Sequence, residues 1–187
     1  MQTILHVSDI HAGAPFRGRF DMVSRRRQYL ATVVEHGFAL PDGYIEQAER
    51  MERIAAALAA SAPPLVPCHN DLVAENLIDT PDGLRLIDYD YAGMNDPYWD
   101  LGDLVNESDV PAALVPELVA HYAGEPDPAL VARVRLWSTV SKHGWTLWAV
   151  IRHGLTGDES IREWGAAQHR RALVELADPG LDELIAA

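Results

Sequence analysis

The stretch from Asn76 to Ile87 constrains the fold more than any other part of the chain. Leu77-Ile78 and Leu84-Arg85-Leu86-Ile87 are apolar enough for strands. Pro81-Asp82-Gly83 between them suits a tight turn that needs a positive φ. A hairpin of Asn76–Thr80 with Leu84–Ile87 brings Asn76, at the start of its first strand, close to Asp88, just after its second. The chain ahead of it reads His69-Asn70-Asp71-Leu72-Val73-Ala74-Glu75-Asn76, and the chain behind it reads Ile87-Asp88-Tyr89. An aspartate, an amide and a second aspartate therefore converge on one edge of the fold.

Phosphoryl transfer of the kinase type needs such a set. One carboxylate must orient and deprotonate an attacking hydroxyl, and further oxygen ligands must hold the Mg²⁺ that neutralises a triphosphate. Asp71 can be the first, and Asn76 and Asp88 can be the metal ligands. A few hard oxygens, with phosphate supplying the rest, are what Mg²⁺ prefers. A lone His-x-Asp is weak, and aspartates after strands are common in turns. The matched spacing of three polar positions around a hairpin carries the reading. His69 reads as a structural residue whose ring hydrogen-bonds nearby backbone, and Cys68 as a small buried filler with no activating partner.

At 187 residues and 48% hydrophobic, the chain suits one compact domain with a sizeable core. One cysteine permits no internal disulfide, and the default compartment is the cytoplasm. The apolar runs fall short of a membrane span of about 20 residues. A net charge of −13 argues against a nucleic-acid partner and suits a small cationic one. Arg25-Arg26-Arg27 reads as the solvated face of a helix.

The pattern predicts helices over Asp21–His36, with Asp21 as N-cap and Gly37 as the stop, and over Tyr44–Ala60, Asp96–Glu107, Pro111–Tyr122, Pro128 to about His153, and Ser160–Leu176. The expected fold is α+β: a mostly helical lobe, shaped like the C-terminal lobe of a protein kinase, with a small β-hairpin that carries the metal site.

These residues resemble the choline/ethanolamine kinase and aminoglycoside phosphotransferase family. The family's signature is a loop of the form H-x-D-x-x-x-x-N, a hairpin, and then I-D-aromatic-acidic-Tyr. The chain reads CHNDLVAENL and LIDYDYAGMNDPYWDLGDL. The resemblance, from about His11 to about Leu176, implies Asp71 as catalytic base, Asn76 and Asp88 as ligands for Mg²⁺ with ATP, and Asp100 as support for the catalytic loop alongside His69. It is stronger to the choline-kinase branch than to the antibiotic-kinase branch. In that branch a Trp-x-x-Trp pair and a tyrosine after the metal aspartate help to hold the amino-alcohol head. Tyr91, Trp145 and Trp148 match those positions, and Trp164 matches loosely. Trp145 and Trp148 share one helical face, and aromatic faces attract quaternary ammonium groups. Tryptophans at helical spacing are also ordinary core residues. Asp90 is either a further negative charge near the cation or a structural acceptor.

A complete kinase of this type would add a phosphate-covering loop, a strand lysine and a helix glutamate. No glycine-rich loop precedes Asp71, and the one lysine, Lys142, lies far downstream. The expected organisation is a stub over residues 1–10 and the lobe over 11–187, with the nucleotide-clamping lobe absent, turnover impaired and self-association possible through the surface so left. An alternative is a non-catalytic module that binds a cationic ligand or a partner. A weaker one starts from Asp9 and His11, which resemble the D-x-H metal motif of calcineurin-like metallophosphoesterases. Gly102-Asp103-Leu104-Val105-Asn106 has the look of the second motif of those hydrolases but lies much too far along the chain, and their Asn-His-Asp/Glu and Gly-His-x-His motifs are absent.

Overall fold

The computed structural model describes residues 18–125 and 127–186. Asp9, His11 and the expected stub lie outside the described residues. Helix α1 spans Met22–His36 and α2 spans Ala48–Ala60. Strand β1 (Val66–Cys68), the hairpin β2 (Leu77–Thr80) and β3 (Gly83–Leu86), and β4 (Gly93–Asn95) follow. Helices α3 (Pro97–Glu107), α4 (Val115–Ala123), α5 (Pro128–Thr156), α6 (Glu159–Ala177) and α7 (Gly180–Ala186) complete the described chain.

The helices begin where the sequence places aspartates. Asp21 accepts the Ser24 N–H at 3.2 Å, Asp96 accepts Tyr98 N–H at 3.0 Å, and Asp127 accepts Ala129 N–H at 2.8 Å. Gly37, with φ +67°, closes α1 in the left-handed region that favours glycine. Two predicted helices open on a 3₁₀ turn instead, Ile45–Gln47 and Ala112–Leu114. α5 runs one turn past His153.

At 29 residues α5 is about 43 Å long, and it forms the axis of the lobe. It is buried on every side from Val134 to Leu147 except at Arg135. α1, α3 and α6 lie against it. The α3 and α6 crossings are close because glycine sits there: a Cβ on Gly102 would stand 2.5 Å from the Trp137 Cβ, and one on Gly165 would stand 2.3 Å from the Ala149 Cβ. Phe20, Met22, Met51, Ile54, Trp99 and Trp137 belong to the main core.

The expected hairpin is present, with Leu77 opposite Leu86 and Thr80 opposite Gly83. Its turn is tighter than expected: only Pro81 and Asp82 separate the strands, and Gly83 carries the positive φ of +107°. A second, unpredicted pair, β1 with β4, ties Val66 to Asn95 and Cys68 to Gly93. These two pairs hold the segment Cys68–Asn95 over one end of α3. The arginine triplet departs from expectation. Arg26 is buried and paired with Glu52 at 2.7 Å, Arg25 lies over the rings of Phe20 and Tyr91, and only Arg27 is exposed.

Candidate active site

The loop that presents Asp71 is fixed from beneath. Asn70 is buried and left-handed at φ +69°, a conformation asparagine tolerates better than most residues. Its Nδ2 donates to Tyr91 O at 2.9 Å, with Cys68 O and Gly93 O at 3.3 Å, while its Oδ1 accepts from Asn95 Nδ2 at 2.9 Å. Asn70 thereby joins the Asp71 loop to the strand that follows the second aspartate. Asp100 accepts the backbone N–H groups of His69 and Asn70, both at 2.8 Å. His69 Nε2 lies 2.8 Å from the Ile87 carbonyl, and its ring meets Tyr89 edge-on at 4.8 Å. Both residues thus support the loop and do not face the cavity. Cys68 is buried, and burial pushes its thiol up to about 12, which suits a filler.

Asp71 is half-buried, and burial raises its carboxyl above the ordinary value, partly offset by His69 and Asn76 and reinforced by Asp88. Asn76 closes a 3₁₀ turn, Ala74–Asn76, and donates Nδ2 to the Asp71 carbonyl at 3.0 Å. That bond leaves Oδ1 as its remaining donor to a cation. Ile87 N–H donates to Asn76 O at 3.0 Å, so the next residue, Asp88, emerges beside Asn76. Asp88 is exposed and left-handed at φ +58°. Among the described residues no group of three or more His, Cys, Asp and Glu side chains is arranged to hold a metal. The hairpin edge offers an amide and a carboxylate, a donor set that fits an ion completing its shell with water and phosphate.

Asp71 opens on a cavity of about 810 Å³, whose walls include Tyr91, Trp145, Trp148, Trp164 and Glu107. The aromatic wall is continuous. Tyr91 meets Trp145 at 5.6 Å and 82°, Trp145 meets Trp148 at 6.2 Å and 90°, and Trp148 meets Trp164 at 5.8 Å and 85°. Each contact is edge-to-face, the arrangement that ring quadrupoles favour. Trp145 is buried, while Trp148 and Trp164 are half-buried. Trp137, on the same helix, belongs to the core and donates Nε1 to Asp96 at 2.8 Å. Asp90 is not in this wall. It lines a smaller hollow of about 260 Å³ with Phe20, Arg25 and Tyr91.

Sequence reasoning missed two acids of α3, Glu107 in the cavity wall and Asp103 behind Trp145. Asp103 is fully buried, and burial pushes its carboxyl up to about 7 against the hydrogen bonds of Ser141 and Trp145. Glu107 is also pushed up to about 7 by burial, against the hydrogen bond from Gln168, whose Nε2 donates at 2.8 Å. The signal was legible. Asp100, Asp103 and Glu107 recur at the period of a helix face, and it is the face that α3 turns inward.

Residues 4–137 match the model of the phosphotransferase enzyme family. The protein LicA of Haemophilus influenzae is 26% identical over 167 residues, covering 81% of this chain and 61% of that protein. Mouse ethanolamine kinase 1 is 29% identical over 130 residues, covering 56% of this chain and 36% of that protein. A choline/ethanolamine kinase family protein from Mesorhizobium loti superposes with a TM-score of 0.84 at 32% identity, covering 94% of this chain and 61% of that one. The choline kinase LicA of Streptococcus pneumoniae superposes with a TM-score of 0.73 at 28% identity, covering 91% of this chain and 60% of that one. The chain thus spans about three-fifths of the length of LicA and of these two solved structures. With the family match running over residues 4–137, the chain belongs to the phosphotransferase enzyme family.

Proposed function

We propose that this chain carries the base and the acceptor pocket of a Mg-ATP-dependent phosphotransferase acting on the hydroxyl of a small amino alcohol of the choline or ethanolamine kind. The observation that carries the reading is the meeting of Asp71 with the Tyr91–Trp145–Trp148–Trp164 wall in one cavity. A cationic head settles against the aromatic faces, with Glu107 as its counter-charge. Its hydroxyl then reaches Asp71, which takes the proton as the oxygen bonds to the terminal phosphorus of ATP and the bond to ADP breaks. Asn76 and Asp88 would hold Mg²⁺, which supplies charge neutralisation on the phosphates. The raised carboxyl of Asp71 is the stronger base for that proton.

A second reading keeps the pocket without turnover. The one lysine of the chain, Lys142, is buried in α5 and paired with Glu175 at 3.0 Å, so it cannot reach the phosphates. The 187 residues then bind an amine, or dock a partner or a second copy through the apolar side chains that the hairpin region exposes, Ile78, Leu84, Ile87 and Tyr89. Mass-spectrometric detection of phosphorylated product from pooled amino alcohols with Mg²⁺ and ATP separates the two. We expect product to fall by about 10²–10⁴ in Asp71→Asn, the range of general-base effects, with the fold unchanged. Equal product from that variant would refute the role of Asp71. Amine binding with no product from either protein would favour the second reading.

A further inference from the structure

Asp103 lies on α3 between the base loop and the aromatic wall, and its two oxygens face different partners. Oδ2 accepts the N–H of Leu72, the residue after Asp71, at 3.0 Å. Oδ1 accepts the Trp145 indole N–H at 2.9 Å and the Ser141 hydroxyl at 2.6 Å. Asn106 donates Nδ2 to the Ser141 oxygen at 2.9 Å, which leaves the hydroxyl proton free to point at Asp103. Among the described residues no lysine or arginine is bonded to this carboxylate. Burying it without a cation is costly, and an apolar side chain could fill the space between the helices. An apolar side chain could not address two segments through one rigid plane. When the indole shifts Oδ1, the planar group carries Oδ2 and the Leu72 N–H with it.

We propose that Asp103 is a positioning residue that couples the aromatic wall to the base loop, so that a cation packed on the wall also fixes the carboxylate of Asp71. The inference rests on the reading of the cavity as an acceptor site, and it names the residue through which occupancy is transmitted. The carboxylate does not touch the acceptor. It acts through Leu72 on one side and Trp145 on the other.

The test is amide hydrogen exchange at Leu72, followed by NMR in the 187-residue chain. Trp145→Phe keeps an aromatic face, removes the indole N–H and leaves a smaller ring in the wall. In the absence of ligand, Leu72 should exchange about fivefold faster or more in Trp145→Phe, at the lower end of ordinary coupling strengths. Asp103→Asn should do the same, because an amide cannot accept on both sides. Should Asp103→Asn fail to fold, Trp145→Phe carries the same readout. Unchanged exchange at Leu72 in Trp145→Phe overturns the proposal. In a second arm, choline should slow Leu72 exchange in the unaltered chain and lose most of that effect in Trp145→Phe. Equal slowing in both also overturns the coupling. If choline changes nothing in either protein while Trp145→Phe still loosens Leu72, the coupling stands and the choline reading of the cavity falls.

Discussion

α3 and α5 meet through two aspartate–tryptophan pairs, about two helical turns apart, and the pairs have opposite characters. At the first, Asp96 accepts the Trp137 indole N–H at 2.8 Å and the Arg133 Nε–H at 2.7 Å. Arg133 also bonds the Leu58 and Ser61 carbonyls, at 2.9 and 3.2 Å, and so ties α2 into the same knot. At the second, Asp103 accepts the Trp145 indole N–H and a hydroxyl, with no guanidinium in reach. The counter-charge makes the difference. A paired buried carboxylate with every lone pair answered is a staple. An unpaired one is held by neutral donors alone, and burial drives it up to about 7. The staple lies against the core, and the unpaired carboxylate is bonded to Trp145, which lines the cavity. Similar helix geometry has thus been used once for stability and once for the site.

The largest effect that would break this comparison is at the staple. Arg133→Met should leave Asp96 buried without its cation and cost about 3–5 kcal/mol. Urea unfolding reads it, and a loss below about 1 kcal/mol would show that the pair is not the anchor its burial implies. A matching loss of choline affinity is not expected, because neither Arg133 nor Asp96 lines the aromatic cavity.

How much of this was legible beforehand follows the range of the interactions. The caps at Asp21 and Asp96 and the hairpin depend on residues a few positions apart, and each was readable from spacing. Tyr91, Trp145 and Trp148 were nominated for one pocket through a family resemblance, and the structure does place them along one wall. Arg26 was misread because its partner, Glu52, is on another helix, and a run of three arginines looks solvated from its own composition. β1 and β4 have three residues each, one of them Pro67, too few to show alternation. Asp90 was left open between two roles, and its place beside Arg25 depends on how α1 returns to the sheet edge. Asp103 was not nominated for the site because its partners, Leu72, Ser141 and Trp145, lie far from it in sequence, and its period with Asp100 and Glu107 was the one mark it carried.

A smaller effect sharpens the second half of the comparison. The Asp103 carboxyl rises from the ordinary 3.8 to about 7 on folding, so the folded chain holds a proton that the unfolded chain releases. Its contribution to stability is therefore complete below about pH 4 and is lost as pH rises toward 7. Asp103→Asn has no such titration. The stability difference, unaltered chain minus variant, should fall by roughly 1 kcal/mol per pH unit across that window and level off above it. Glu107 shares the direction, and His143, lowered to about 3 by burial, runs the other way. Both are present in the two proteins and largely cancel, except that the Glu107 charge also raises Asp103, so the difference reads the Asp103–Glu107 pair. Urea unfolding at half-unit steps from pH 4.5 to 8 measures it. A difference that stays flat would mean that Asp103 is ionised throughout, and the contrast with Asp96 would then lie in hydrogen bonding alone.

The smallest effect concerns what the two tryptophans do once they are held. Trp137 is buried between Asp96 and Trp99 and presents no ring to the cavity. Trp148, half-buried between Trp145 and Trp164, lines it. A cation over an indole gains about 0.5–1 kcal/mol when exposed and about 2 or more when desolvated. Trp148→Leu should therefore weaken choline about 2- to 30-fold by titration calorimetry, while Trp137→Leu leaves it unchanged and loses stability instead. The neutral carbon isostere of choline, 3,3-dimethylbutanol, isolates the charge. If the wall recognises a cation, the preference for choline over the isostere should shrink in Trp148→Leu. If both ligands weaken together, Trp148 contributes apolar area, and selection of the cation rests on Glu107 and the other carboxylates of the cavity.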